Sequence, residues 1–366
     1  MKDNLTDKQI GTLVYSTLVG YGIISLPKDI TSYMGTTGWF SVILCGIIII
    51  IFSIIIINIM TTFRGKNFYQ ISSLLVGEKI TTVFCIVYSI YCYIFYVIIP
   101  KGYTEIIKVT SYSNTPFWFF EMLIYIVCIY AVIKGIKTIG RLSEIYALIT
   151  FVGILGIGIL VSFEGKIINL FPIFYIKNIG NLIGGMYQSF LPFLGIECLF
   201  FMKYDKQNNK SKQYVISIIA IIILLYIFII EVCISVLGTQ EVIRYNNLVL
   251  TVLRSISSAY LEVSTRLDGI FLILWTMKII LSCIIFGYGS ALFLNLALNK
   301  KNSKYKNKII FILSLIAFLL GFLNVKISKL NSLLSVSTSI FGVFTAVLIP
   351  LSLFIIMKVK KYDKKV

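Results

Sequence analysis

The chain has 366 residues, of which 58% are hydrophobic and 13% charged, with a mean hydropathy of +0.95, the composition of a polytopic membrane protein rather than of a soluble domain. It contains no histidine, which excludes Ser-His and Cys-His nucleophilic centres and His-ligated metals and argues against an enzyme. The net charge of +18 lies in short runs between apolar segments, such as "KYDKQNNKSK" (203–212), "NKKNSKYKNK" (299–308) and the C-terminal "KVKKYDKKV", which excludes a nucleic-acid face and fits cytoplasmic loops.

The polar start "MKDNLTDKQ" leads into an apolar stretch with no small-residue cleavage pattern, so it reads as the mature first helix rather than a removed signal peptide. About 20 apolar residues span a bilayer. That ruler predicts about ten spans, near 9–31, 38–60, 80–100, 117–133, 142–162, 181–202, 214–237, 267–295, 309–324 and 332–357. With the N-terminus inside, the inner segments hold 22 Lys and Arg and the outer ones ten, an asymmetry that places both termini in the cytoplasm. Two connections are long. The stretch 61–79 could hold an interfacial helix, and 238–265, with apolar residues at helical spacing, could cap the outer face; both could equally be plain connectors. The seven cysteines all fall in apolar segments without a CxxC pair and read as small buried hydrophobes.

Span one carries helix breakers in its middle: "TLVGYGIISLPKDI" (17–30) places Gly20 and Gly22 around Tyr21, then Pro27. Span six, "GGMYQSFLPFLGIECLFF", has Pro192, Gly195 and the ionisable Glu197 near its centre. The glycines could simply allow close helix packing. Interruptions at matching positions of two five-span halves point instead to a transporter-type midplane site, because an unwound turn frees N–H and C=O groups that hydrocarbon cannot satisfy.

Lys278, in span eight, lies about 12 residues from Arg266, or roughly 18 Å along a helix, too far to snorkel, so it should face a cavity or a partner. Glu197 is the candidate counter-charge, in a pair that either fixes the helices or handles ligand or ions. Glu231 reads as structural, and Glu105, Glu121 and Glu144 as interfacial.

The opening "LTDKQIGTLVYSTLVGYGIISLPKDI" resembles the start of the spore germination permease subunit, the B subunit of germinant receptors in endospore-forming bacteria, within the amino acid, polyamine and organocation (APC) transporter superfamily. The polar "LTDKQ" followed by "GYGIISLP" narrows the resemblance from the superfamily to the germination group. It implies an all-α integral membrane protein with a LeuT/APC-like five-plus-five inverted repeat and broken helices 1 and 6. The whole chain would be one permease-like domain, with repeats over about 9–162 and 181–357. It further implies location in the spore inner membrane, A and C partner subunits, and a small germinant, typically an amino acid, whose binding triggers ion release. The alternative is a secondary amino acid transporter coupled to protons or sodium. No cofactor or metal is implied. Carried onto this chain, the superfamily's ligand site points to Gly20, Tyr21 and Gly22, to Leu194, Gly195, Ile196 and Glu197, to the span-three face with Tyr93 and Val97, and to Lys278 and Ser282 in span eight. Many relatives of this fold hold sodium between spans one and eight, and the Lys278 ammonium could replace it.

Overall fold

The computed structural model describes residues 5–20, 22–110, 114–205, 210–245, 247–255, 267–298, 303–322 and 338–362. Tyr21, the last part of the 238–265 connection and the edges of spans nine and ten that face each other lie outside the described residues. Every regular element among the described residues is a helix, and seven of these helices are long and apolar enough to cross a membrane.

Helix α1 (Asp7–Leu18) starts with a capping box: Gln9 N–H donates to Thr6 Oγ1 at 3.2 Å, and Thr6 N–H donates to Gln9 Oε1 at 3.3 Å. The "LTDKQ" motif is therefore a helix start. The predicted first span then divides, because α1 ends at Leu18 and α2 (Gly22–Met34) begins three residues beyond Val19. Pro27 sits inside α2 without ending it; a proline removes one hydrogen bond and is tolerated in membrane helices, so the glycine-rich stretch alone sets the break. A 3₁₀ turn then leads into α3 (Gly38–Thr62).

The 61–79 connection does hold a helix, α4 (Phe68–Val76), with its own Asn67–Gln70 capping box. Helices α5 (Glu78–Thr110), α6 (Phe117–Lys134) and α7 (Ile136–Ser162) supply spans three to five. Span six is again discontinuous. Helix α8 (Ile179–Phe190) passes into 3₁₀ turns at Leu191–Phe193 and Ile196–Phe200, separated by Gly195 with φ +119°. Such a φ is open to glycine and strained for an L side chain.

Helix α9 (Ser211–Leu237) is span seven, and α10 (Thr239–Arg244) and α11 (Leu248–Ser255) occupy the described part of the next connection. Helix α12 (Leu267–Ala297) is span eight, the most deeply buried of the long helices, packed chiefly on α5. Helix α13 (Ser303–Gly321) begins with three lysines, which keeps it outside the seven strongly apolar helices. The last span runs through π-helical turns at Thr338–Gly342 and Phe344–Leu348 into α14 (Ile349–Val359). The Lys360 ammonium, one residue beyond α14, donates to the Leu75 carbonyl at 2.7 Å and so ties the end of the bundle to α4. All seven cysteines are free and buried.

Candidate functional site

The two interruptions meet. A Cβ placed on Gly22 would lie 2.9 Å from Pro192 Cγ, and one on Gly195 would collide with Thr17 Cγ2. Glycine is thus required at both positions for the unwound segments to touch. A Cβ on Gly20 would lie 2.6 Å from Ser282 Oγ, so Gly20 admits α12 to the end of α1.

Carbonyls beside the breaks have named side-chain partners, although Tyr15 O also accepts from the Val19 N–H and Leu18 O from the Gly20 N–H. At the end of α1, Tyr15 O accepts from Lys278 Nζ at 3.3 Å, and Ser16 O accepts from Ser282 Oγ at 3.0 Å. Lys278 and Ser282 are one turn apart on α12 and reach consecutive carbonyls. The Lys278 ammonium also stands 3.9 Å from the centroid of the Tyr15 ring, a cation–π contact, at 1% exposure. Leu18 O and Pro192 O, one from each broken span, both lie within reach of the Tyr226 hydroxyl on α9, at 2.9 and 3.1 Å. A hydroxyl has one proton, so Tyr226 serves the two breaks in turn or shares between them.

A cavity opens beside this junction, lined by Thr17, Leu18, Gly22, Phe95, Ile99, Leu191, Pro192, Leu194, Ser282 and Phe286. It has room for about two waters. Its walls are apolar apart from Thr17, Ser282 and the backbone of the breaks. Phe95 on α5 and Phe286 on α12 stack at 4.8 Å between centroids and 14° between planes, joining spans three and eight beside it.

Of the residues singled out from the sequence, Gly22, Leu194 and Ser282 line the cavity, while Gly20, Gly195 and Lys278 shape the adjoining break. Ile196 is fully buried in the second 3₁₀ turn. Tyr21 lies outside the described residues. The span-three face is displaced from the expected register: Phe95 and Ile99 reach the cavity, whereas the Tyr93 hydroxyl donates to Leu313 O on α13 at 3.3 Å and Val97 packs on the core.

The expected Lys278–Glu197 pair does not form. Lys278 turns to the end of α1, and Glu197 Oε1 accepts from Thr345 Oγ1 at 3.0 Å. Ion pairs do form elsewhere, at Lys8–Glu144, Arg244–Glu241 and Arg254–Asp268. Lys278 is held instead by the Tyr15 carbonyl and the face of the Tyr15 ring. Glu121 also departs from expectation, being 1% exposed against Gly321 rather than interfacial.

Sequence reasoning passed over Tyr226, Phe95, Ile99, Phe286 and Thr17. Tyr226 left a trace, as the one hydroxyl in the otherwise apolar run "IIILLYIFII" (221–230) at the centre of α9. The others look like ordinary membrane-helix residues.

Comparison with known proteins agrees with this geometry. Two solved structures share the fold. MhsT in complex with L-phenylalanine superposes with a TM-score of 0.68 at 14% identity, covering 94% of this chain and 88% of that one. A substrate-bound, outward-open Na+-coupled sialic acid symporter gives 0.69 at 13% identity, covering 93% and 78%. Among characterised sequences, spore germination protein GerLB of Bacillus cereus is 26% identical over 371 residues, 98% of this chain and 96% of its own length. Spore germination protein YndE of Bacillus subtilis (strain 168) is 25% identical over 302 residues, 81% of this chain and 82% of its own. Residues 4–330 match the family model for spore germination proteins of the spore permease type. The chain is a LeuT-fold integral membrane protein, and it belongs to the spore germination permease family.

Proposed function

We propose that this protein is the germinant-sensing membrane subunit of a receptor, binding a small amino acid at the cavity between its two broken spans. The observation that carries the reading is the meeting of Gly22 with Pro192 beside a cavity walled by Phe95, Ile99, Leu194 and Phe286. Backbone N–H groups at the start of α2 suit a carboxylate, and the apolar walls suit an aliphatic or aromatic side chain. MhsT, of the same fold, was solved with L-phenylalanine. With room for about two waters, the cavity must widen to take an amino acid. Widening parts α5, α12 and the breaks, and that movement is what a receptor transmits to its A and C partner subunits.

Lys278 gives this reading its second element. Its ammonium and the Ser282 hydroxyl occupy Tyr15 O and Ser16 O, the place between spans one and eight that sodium takes in many relatives of the fold. Ligand binding is then independent of sodium. The chain sits in the spore inner membrane with both termini in the cytoplasm, and it performs no covalent step. The experiment is reconstitution in liposomes, alone and with the A and C subunits, following labelled amino acid uptake and cation efflux. Ligand-triggered efflux that needs the partners supports the sensor. Concentrative uptake by this chain alone, driven by sodium or protons, would replace it with a secondary transporter.

A further inference from the structure

Behind the cavity, Glu197 presents a second, separate polar centre. Its side chain is 1% exposed, and Oε2 has no hydrogen-bond partner in the structure. The Tyr91 hydroxyl on α5, also 1% exposed, faces the same carboxyl group and is likewise unpaired. Thr345, on the π-helical turn before α14, has one hydroxyl proton and three acceptors in reach, Glu197 Oε1 at 3.0 Å, Phe341 O at 2.8 Å and Gly342 O at 3.4 Å. Neither Lys278 nor any other cation among the described residues forms an ion pair with Glu197.

These groups can be reconciled by counting donors. An ionised carboxylate only accepts, has about four lone-pair positions, and would find at most two hydroxyl protons here, from Tyr91 and Thr345. The backbone N–H groups of Gly195 and Glu197 also face the carboxyl group, yet they leave Oε2 without a bond. Leaving the group ionised without a cation is a large desolvation cost. A metal cation is no better served, since hard cations take about six or more oxygens and the described side-chain oxygens at Glu197 are its own, Tyr91 Oη and Thr345 Oγ1. One added proton satisfies the set. The carboxyl group then donates from Oε1 to Thr345 Oγ1, which is left free to donate to Phe341 O, while Oε2 accepts from the Tyr91 hydroxyl.

We propose that Glu197, Tyr91 and Thr345 form a proton-binding site, distinct from the ligand cavity, whose proton latches the broken span six to spans three and ten. The latch is extended by the Tyr88 hydroxyl, which donates to Thr345 O at 2.9 Å. The titratable groups facing Glu197 are Tyr88, Tyr91 and Cys92 from α5 and Cys198 from its own turn; Thr17 of α1 adjoins Cys198. None of them carries a positive charge that could hold the ionised form. The site stands whichever ligand the cavity takes.

Cys92 and Cys198 are native reporters, both buried beside Glu197. The test labels the full chain in nanodiscs with N-ethylmaleimide over a pH series and quantifies each cysteine by mass spectrometry, with Cys45 and Cys233 correcting for ordinary thiol ionisation. Labelling of Cys92 and Cys198 should rise with pH more steeply than that of Cys45 and Cys233, by about five- to 150-fold, the usual span of coupling between two groups. Glu197→Gln, a mimic of the protonated acid, should stay low at every pH. Retention of the wild-type pH profile in that variant overturns the proposal, as does suppression by sodium or potassium at fixed pH, which would mark a metal-ion site. Should Glu197→Gln fail to fold, infrared spectra decide. The C=O stretch of a neutral carboxylic acid should be present at neutral pH and shift in Tyr91→Phe, and an unshifted spectrum overturns the assignment.

Discussion

Tyr226→Phe removes one oxygen and leaves the ring, which packs edge-on against Phe193 at 5.3 Å between centroids. The lost hydroxyl is fully buried and stands 2.9 Å from Leu18 O and 3.1 Å from Pro192 O. The phenyl ring offers no donor in its place, so Pro192 O loses its hydroxyl partner while Leu18 O keeps the Gly20 N–H. A buried unsatisfied carbonyl costs about 1–3 kcal/mol, and side-chain hydrogen bonds measured inside membranes average about 0.6 kcal/mol. The arrangement in which the two breaks meet should therefore weaken by about 0.6–3 kcal/mol, roughly three- to 150-fold in a two-state equilibrium. The assay is thermal unfolding of the full chain in nanodiscs, followed by tryptophan fluorescence, together with the amino acid concentration giving half-maximal receptor response. A lower unfolding midpoint and a shifted half-response are expected. Unchanged values in both would refute the claim that Tyr226 joins the breaks.

Gly22→Ala should insert normally and lose ligand response, because its Cβ would press on Pro192 at 2.9–3.0 Å; a normal response in a binding assay would show that the breaks can separate freely. Lys278→Met should weaken the response by about 0.5–2 kcal/mol, because it removes the ammonium from the face of the Tyr15 ring and from Tyr15 O, to which the Val19 N–H still donates. Adding Glu197→Gln should not rescue it, since the two residues share no partner and their effects should add in the same response assay. Ile99→Phe should fill the cavity and weaken binding of bulky amino acids more than of glycine in equilibrium binding measurements, with the opposite order counting against the cavity as the ligand site.

The long apolar spans, the two interruptions and the polar helix start could be read from the sequence because each follows from a local rule: hydrophobic run length, glycine in a membrane helix, and Thr6 spaced three residues from Gln9. Side-chain partners could not. Lys278 was legible as a residue needing a partner, but a carboxylate and a backbone carbonyl answer that need equally well, and only three-dimensional placement chose Tyr15 O. The span-three register was missed for a related reason. In "YIFYVII", tyrosines draw the eye to Tyr93, while the cavity takes the apolar Phe95 and Ile99, whose helical face differs by two residues.

The division of labour on α12 bears on how such a site can signal. Lys278 and Ser282 hold the end of α1 permanently, through covalently attached donors, where a dissociable ion would come and go. Phe286, one turn beyond Ser282, stacks on Phe95 of α5. A ligand that wedges between Phe95, Phe286 and the breaks therefore acts on a helix already fixed to α1, and the element free to yield is the other break, held by Tyr226 and by the glycine turn at Gly195. On the proposed reading, binding energy is directed to span six and to its attachment through Glu197 to spans three and ten, rather than to releasing an ion from α1. Displacement of span six with α1 still docked on α12 is the conformational change this arrangement favours, and distances measured between probes on α8 and α12, and between α1 and α12, should change in the first pair and hold in the second when ligand is added.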